Sequence, residues 1–318
     1  MFPNFEFVRP ESLNEAVREL QGTETAVFAG GTELLGAIRD NIGHPKKLVS
    51  ISGIRELSGI TRDRAGTVHI GALTTLSELQ SDGDLKRHYS ALVEGAAAAA
   101  SPQLRNQGTI GGNLCQRPRC WYYRSGFHCL RKGGAECYAV DGENEYHAVL
   151  GGHRCFIVHP SDTAPALVAL GASLRIVGSR GSRTIPVSEF FLLPEHSMTH
   201  ENVLRPSEIV AEVLLPAPVL NTRSSYRKVR ARGSWDFALA GVALSVAMDH
   251  DSIAFVRVVL SGVAPIPWRA RAAENALLGH QFTPQLAAKA AEASIIGATP
   301  LSQNGYKVDL VRGIVEES

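Results

Sequence analysis

All five cysteines of this 318-residue chain lie between Cys115 and Cys155, in a segment that begins directly after the pair of glycines in "TIGGN". Four of them follow the spacing Cys120-x8-Cys129-x7-Cys137-x17-Cys155, and Cys115 lies five residues upstream of Cys120. Thiols so grouped point to a metal site, a disulfide knot or chance. An odd thiol count and the lack of a readable secretory leader weigh against a disulfide framework. The spacing has no C-x2-C pair of the zinc-ribbon kind and follows neither ferredoxin pattern, so zinc and an iron–sulfur cluster stand level. Arg117, Arg119, Arg124, Arg131, Lys132 and Arg154 surround the thiols, against Glu136 alone up to residue 140. Such cations suit either dianionic site. His128, His147, His153 and His159 offer alternative donors, but four cysteines already complete a site. Trp121, Tyr122 and Tyr123 after Cys120 shield a metal site, form a subunit interface or pack the core.

The second chemistry-bearing pattern is a pair of Gly-Gly turns. "AGGTELLG" places Gly30 and Gly31 between an apolar strand and a helix, where backbone amides meet anions. Its spacing fits neither the dinucleotide G-x-G-x-x-G nor the P-loop, which needs Lys and Ser/Thr where Ala37 and Ile38 stand. "TIGGN", Thr109 to Asn113, repeats the motif. Either pair alone reads as a tight turn. Together they are compatible with two grips on one pyrophosphate, beside the plainer reading of two tight turns.

The elements that position these residues alternate. "FEFVRP" reads as a strand, followed by a helix from Ser12, which has capping-box spacing to Glu15. "TAVFAGG" is a strand, "TELLGAIRDNI" a helix and "KLVSIS" a strand. "TVHIGALTT" is a strand, and one long helix is expected from about Thr75 to Ala100. After the cysteines a strand is expected from Phe156, then a helix through "APALVALG", a hairpin turning at "GSRGS" and a strand through "SEIVAEVLLPAPV". Prolines mark a boundary near residues 217–221. A small sheet over "SSYRKVRARGSWDFALAGVALSVAMD" and "SIAFVRVVLSGVAPIP" follows, with helices at about 269–278, 283–295 and 305–316.

Bulk composition excludes some function classes. With 44% hydrophobic and 20% charged residues, the chain has material for two cored domains. A net charge of +1 gives no global field for nucleic acid or a membrane surface. No run of 18 apolar residues points to membrane insertion.

Four stretches, "FAGGTELL", "QLRNQGTIGGNL", "HPSDTAPAL" and "YRKVRARGSWDFALAGVAL", together resemble the FAD-binding subunit of the molybdenum hydroxylase family, which includes xanthine dehydrogenase and carbon monoxide dehydrogenase. The cysteine segment resembles that of the flavin subunits of periplasmic aldehyde oxidoreductases. The resemblance implies an α+β protein. Residues 1–218 would form a vanillyl-alcohol-oxidase/PCMH-type FAD-binding domain of two α/β subdomains, about 1–55 and 56–218, with an iron–sulfur loop over 115–155. Residues 219–318 would form a C-terminal domain of small antiparallel sheet and helices. FAD would be held by Val27, Phe28, Ala29, Gly30, Gly31, Thr32, Glu33 and Leu34 from one side of its pyrophosphate, and by Thr109, Ile110, Gly111, Gly112 and Asn113 from the other. Asp162 would meet ribityl or ribose hydroxyls, with a helix N-cap as its plainer role. Lys228 would lie near the flavin, although a surface basic strand is an equal reading. Val210 and Ala99 match positions beside the ring system and cofactor. Cys120, Cys129, Cys137 and Cys155 would ligate a [4Fe–4S] cluster, with Cys115 a buried spare thiol and reserve ligand.

The function so implied is electron transfer. A large molybdenum-cofactor subunit would oxidise an aldehyde, a small subunit with [2Fe–2S] clusters would relay electrons, and FAD here would deliver them to an external acceptor. The complex would reach the periplasm by co-export with a signal-bearing partner, or stay in the cytoplasm without one. Two competing readings are a self-contained flavin oxidoreductase with a structural zinc site and a non-redox nucleotide-binding scaffold.

Overall fold

The structure, a computed structural model, describes residues 3–318 with the exception of Thr23. Three sheets frame it. The first is parallel, with β1 (Glu6–Val8), β2 (Thr25–Phe28) and β3 (Lys47–Ser50) in the order β1-β3-β2. Helix α1 (Leu13–Glu19) starts at Ser12, whose Oγ accepts the Glu15 amide at 3.3 Å. The expected capping box is only half made, because the Glu15 carboxylate takes the Glu11 amide at 2.8 Å instead. Helix α2 (Leu34–Arg39) leaves the first glycine turn.

The second sheet is antiparallel: β4 (Ile60–Arg62), β5 (Val68–Gly71), β6 (Ser173–Gly178), β7 (Gly181–Pro186) and β8 (Ile209–Leu215), in the order β4-β5-β8-β6-β7. The single helix expected over 75–100 is three helices: α3 (Leu76–Ser81), α4 (Gly83–His88) and α5 (Ser90–Ala98). Asp82 breaks the first join by capping α4, its carboxylate accepting the Asp84 and Leu85 amides at 2.9 and 2.8 Å. Tyr89 breaks the second, leaving helical backbone at φ −138° with its hydroxyl on the Pro216 carbonyl. Short helices α6 (Pro102–Arg105), α7 (Ile110–Leu114) and α8 (Trp121–Arg124) follow, and α9 (Thr163–Leu170) packs against α5 and the third sheet. The strand expected from Phe156 does not form. That stretch crosses between the cysteine segment and the third sheet, where its backbone makes isolated bonds to Ala148 and Ala264.

The third sheet, also antiparallel, joins β9 (Thr222–Val229), β10 (Ala240–Asp249), β11 (Ser252–Ser261) and β12 (Trp268–Arg269) in the order β12-β11-β10-β9. Helices α10 (Arg271–Leu277), α11 (Pro284–Ser294) and α12 (Tyr306–Glu316) cover it. Thr283 caps α11 ahead of Pro284, the arrangement those two residue types favour. The main core runs from β5, β6 and β8 through α3, α5 and α9 to Tyr226, Ala243 and Val259 of the third sheet. Burial is therefore continuous across residues 217–221, and the two parts of the chain are fixed against each other. Among the described residues no helix is long and apolar enough to cross a membrane.

Candidate cofactor site and cysteine segment

The two glycine turns pack against each other. A Cβ on Gly30 would lie 1.9 Å from the Gln107 carbonyl oxygen, and one on Gly111 would lie 2.9 Å from the Ala72 methyl. These two glycines let backbones touch. Gly31 has a different reason: its φ of +72° is left-handed, and a side chain there would strike the Phe28 ring. Thr109 caps α7 by accepting the Gly112 amide at 3.2 Å, which makes the second turn a helix start.

Two cavities of ≈ 650 Å³ each lie on either side of these turns and share Gly31, Thr32, Glu33, Thr109 and Gly112 as a common wall. The first also takes in Val27, Ala29, Gly30, Leu34, Gly111 and Val210. The second includes Ala99, Asn113 and Asp162, and is bordered by Trp235, Asp236 and Phe237 of the β9–β10 loop. A two-lobed cleft with a glycine waist fits a dinucleotide. A diphosphate would lie at the waist, against backbone amides that need no side chain between, with a ring system in each lobe. Val210 and Ala99 lie in opposite lobes, so they flank different ends of such a molecule. Phe28 and Ile110 border neither lobe. Phe28 packs on Gly31 and, edge-on, on Phe7, while Ile110 is core. Their apolar side chains are spent on holding the turns.

Asp162 and Lys228 form one buried unit. The Asp162 carboxylate accepts from Lys228 Nζ at 2.8 Å and from the Tyr226 hydroxyl at 2.7 Å, and Lys228 also donates to the Ala98 carbonyl at 3.1 Å. The Lys228 side chain is 3% exposed, so it belongs to no surface basic strand, and it lines neither lobe directly. Burial pushes the Asp162 carboxyl above its usual range, with Lys228 opposing that shift. The N-cap role falls to Ser161, whose Oγ accepts the Ala164 amide at 3.0 Å. Asn113 ties α7 to the same place by accepting from Ser161 and Thr163 at 2.6 and 2.7 Å.

Sequence reasoning missed the aromatic border and the strain beside it. Ala100 and Trp235 line the second lobe with left-handed φ of 47° and 51°, and neither has the side-chain amide that eases that conformation for Asn. The only trace in the sequence was "RGSWDF", aromatic residues in a polar turn.

The cysteine segment is fastened on both flanks. Arg119 and Arg124 pair with Glu33 of the first glycine turn, the latter at 2.6 Å, and Arg117 and Arg131 pair with Glu201 at 3.1 and 2.5 Å. Four of the cations expected to surround the thiols as free charge are thus neutralised in ion pairs. Glu33, one of the expected cofactor contacts, spends its carboxylate on this segment. On the other flank, Asn144, His147 and Ala148 bond to Gln303 and Asn304 ahead of α12, and Lys307 Nζ donates to the Tyr146 and Gly262 carbonyls at 2.9 and 2.7 Å.

Within the segment, interaction with Cys155, helped by the amides of Ala139, Phe156 and Val140, brings the Cys137 thiol down to about 6, while Cys137 and burial push Cys155 up. Burial raises Cys120 to about 11, and the charges of Cys137 and Cys129 reach it. Cys120 and Cys129 pack with Ala37, Ile42 and Tyr123. Cys115 stands apart. It lines the first lobe, and burial raises it to about 12. Among the described residues no three Cys, His, Asp or Glu side chains sit at the spacing of a single ion. Of the four histidines, His147 alone makes a polar contact with a cysteine, its Nε2 lying 3.2 Å from Cys120 Sγ.

Residues 3–218 match the family described as the FAD binding domain in molybdopterin dehydrogenase, and residues 224–317 match the CO dehydrogenase flavoprotein C-terminal domain. The chain belongs to the FAD-binding subunits of the molybdenum hydroxylases. Among its relatives is the aldehyde oxidoreductase FAD-binding subunit PaoB of Escherichia coli K12, 35% identical over 97% of this chain and 95% of that one. The carbon monoxide dehydrogenase medium chain of Hydrogenophaga pseudoflava is 30% identical over 94% and 88%. A solved structure of that organism's carbon monoxide dehydrogenase, lacking the Mo-pyranopterin moiety, superposes with a TM-score of 0.79 over 100% of this chain and 96% of its own. The FAD-binding subunit is therefore an oxidoreductase subunit of the xanthine dehydrogenase family, with the two-domain α+β architecture of that group. FAD supplies its redox chemistry when bound. The residues of the chain that would hold it are those of the glycine waist, with the buried Lys228–Asp162 pair behind the second lobe.

Proposed function

We propose that this FAD-binding subunit also carries a [4Fe–4S] cluster on Cys120, Cys129, Cys137 and Cys155, and that it is the electron-transfer subunit of a molybdenum-dependent aldehyde oxidoreductase. It takes electrons from the [2Fe–2S] clusters of a small partner, while a large molybdenum-cofactor subunit oxidises the aldehyde. It passes them to an external acceptor at its FAD. The aldehyde class rests on the 35% identity to PaoB over nearly the whole of both chains. A complex of this kind reaches the periplasm when a partner subunit bears the signal.

One observation supports a metal site: four cysteines from one segment lie near one another and close to the glycine turns. The choice of a cluster over zinc follows the resemblance of this segment to that of the aldehyde oxidoreductase flavin subunits. Iron, acid-labile sulfide and flavin are to be measured on the natively produced chain. Four irons and four sulfides per FAD are expected. Stoichiometric zinc without iron would replace the cluster with a structural ion and leave the FAD assignment standing.

A further inference from the structure

Arg119 comes from the cysteine segment yet lines the second lobe, beside Gly31, Thr32 and Gly112 of the waist. Its guanidinium is held in place on several sides. One Nη donates to the Glu33 carboxylate and to Gln116 Oε1 at 3.0 Å, and the plane stacks over the Phe237 ring at 4.9 Å. Its Nε–H is buried without a hydrogen-bond partner, a state it shares with Arg117, Arg131 and Arg312, but of these four Arg119 alone lines the second lobe, and Arg117 and Arg131 already pair with Glu201. A buried donor on a cation is costly to leave unpaired, and such groups in native proteins have a partner supplied from elsewhere. Arg124, by comparison, is spent within the protein, on Glu33, Asp40 and the Pro118 and Arg117 carbonyls. Glu33 would otherwise place a bare carboxylate at the waist, where it would repel a diphosphate. Pairing with two arginines removes that repulsion.

We infer that Arg119 is a diphosphate-binding residue, positioned by Glu33 and Phe237, whose unpaired Nε–H completes its hydrogen bonds on the cofactor. The cysteine segment is then a wall of the flavin nucleotide site, whatever its thiols hold. A guanidinium suits this task because its planar fork serves a carboxylate and a phosphate at once.

The test compares FAD with riboflavin, which lacks the diphosphate, by fluorescence titration of the full chain freed of flavin. Arg119→Lys keeps the charge on Glu33, and with it the fold, but removes the Nε–H; Arg119→Met removes both. FAD binding should weaken several-fold in the lysine variant and about tenfold in the methionine variant, the worth of one charge-assisted hydrogen bond. Riboflavin binding should change less than twofold. Thermal unfolding of each flavin-free chain confirms that it is folded. Equal losses for both flavins, or no loss for either, would overturn the assignment. Iron content is recorded in the same samples, so absence of a cluster is read separately from failure of Arg119.

Discussion

Asp162 shows how much rests on single side chains. Among the described residues it is the sole carboxylate partner of Lys228, whose side chain is 3% exposed, and it also receives the Tyr226 hydroxyl. Asp162→Asn leaves a buried ammonium without its counter-charge, a change worth about 3–5 kcal/mol. Urea unfolding should show that loss in the flavin-free chain, and flavin content should fall with it. Lys307 makes the opposite case, a buried lysine bonded only to carbonyls. Burial depresses it to about 7, against an ordinary value near 10.4. Between those limits the unfolded chain holds a proton that the folded chain has released, so this residue makes stability rise with pH from about 7 to about 10. Lys307→Met should remove that contribution, read as a smaller difference between urea midpoints at pH 7 and pH 9. Neither partnership was legible in the sequence. "YRKVRAR" carries four basic residues in seven positions, and nothing in the spacing tells which one the third sheet turns inward.

Elements explain what was legible and what was not. The first glycine turn was found because Gly-Gly between a strand and a helix has few uses, and the second because it repeats that motif, but the work within the first pair is divided. Gly31 supplies a left-handed backbone, and Gly30 supplies contact with Gln107. Gly30→Ala puts a methyl group against a backbone carbonyl, forcing the two turns apart. FAD affinity should fall at least tenfold while circular dichroism stays native. Gly313→Ala, inside α12 with nothing within 4 Å, is the control. It should raise stability by about 0.5–1 kcal/mol through helix propensity. The 75–100 stretch was misread as one helix because its apolar spacing is continuous. The breaks come from Asp82 as a cap and from Tyr89 reaching Pro216, the second a contact 127 residues away along the chain that no local pattern contains.

At the scale of the whole molecule, the cysteine segment is the hinge of the design. Its position after "TIGGN" was readable, and its attachment to both domains was not, because Glu33, Glu201, Gln303 and Asn304 lie far from it in sequence. Asn144, fully buried, bonds to Ala139, Gly142, Ser302 and Gln303. Asn144→Ala should cost about 2–4 kcal/mol by orphaning several of these groups. In the metal-free chain it should also speed alkylation of Cys120 and Cys137 by iodoacetamide, followed by mass spectrometry. The grip of residues 303–307 on this segment sets an order of events during synthesis. The ribosome delivers the last thiol more than a hundred residues before residues 303–307, so a nascent chain presents this flank of the segment unclasped until those residues are made. Machinery that installed the proposed cluster would have that interval in which to act, and should then be found bound to stalled, incomplete chains.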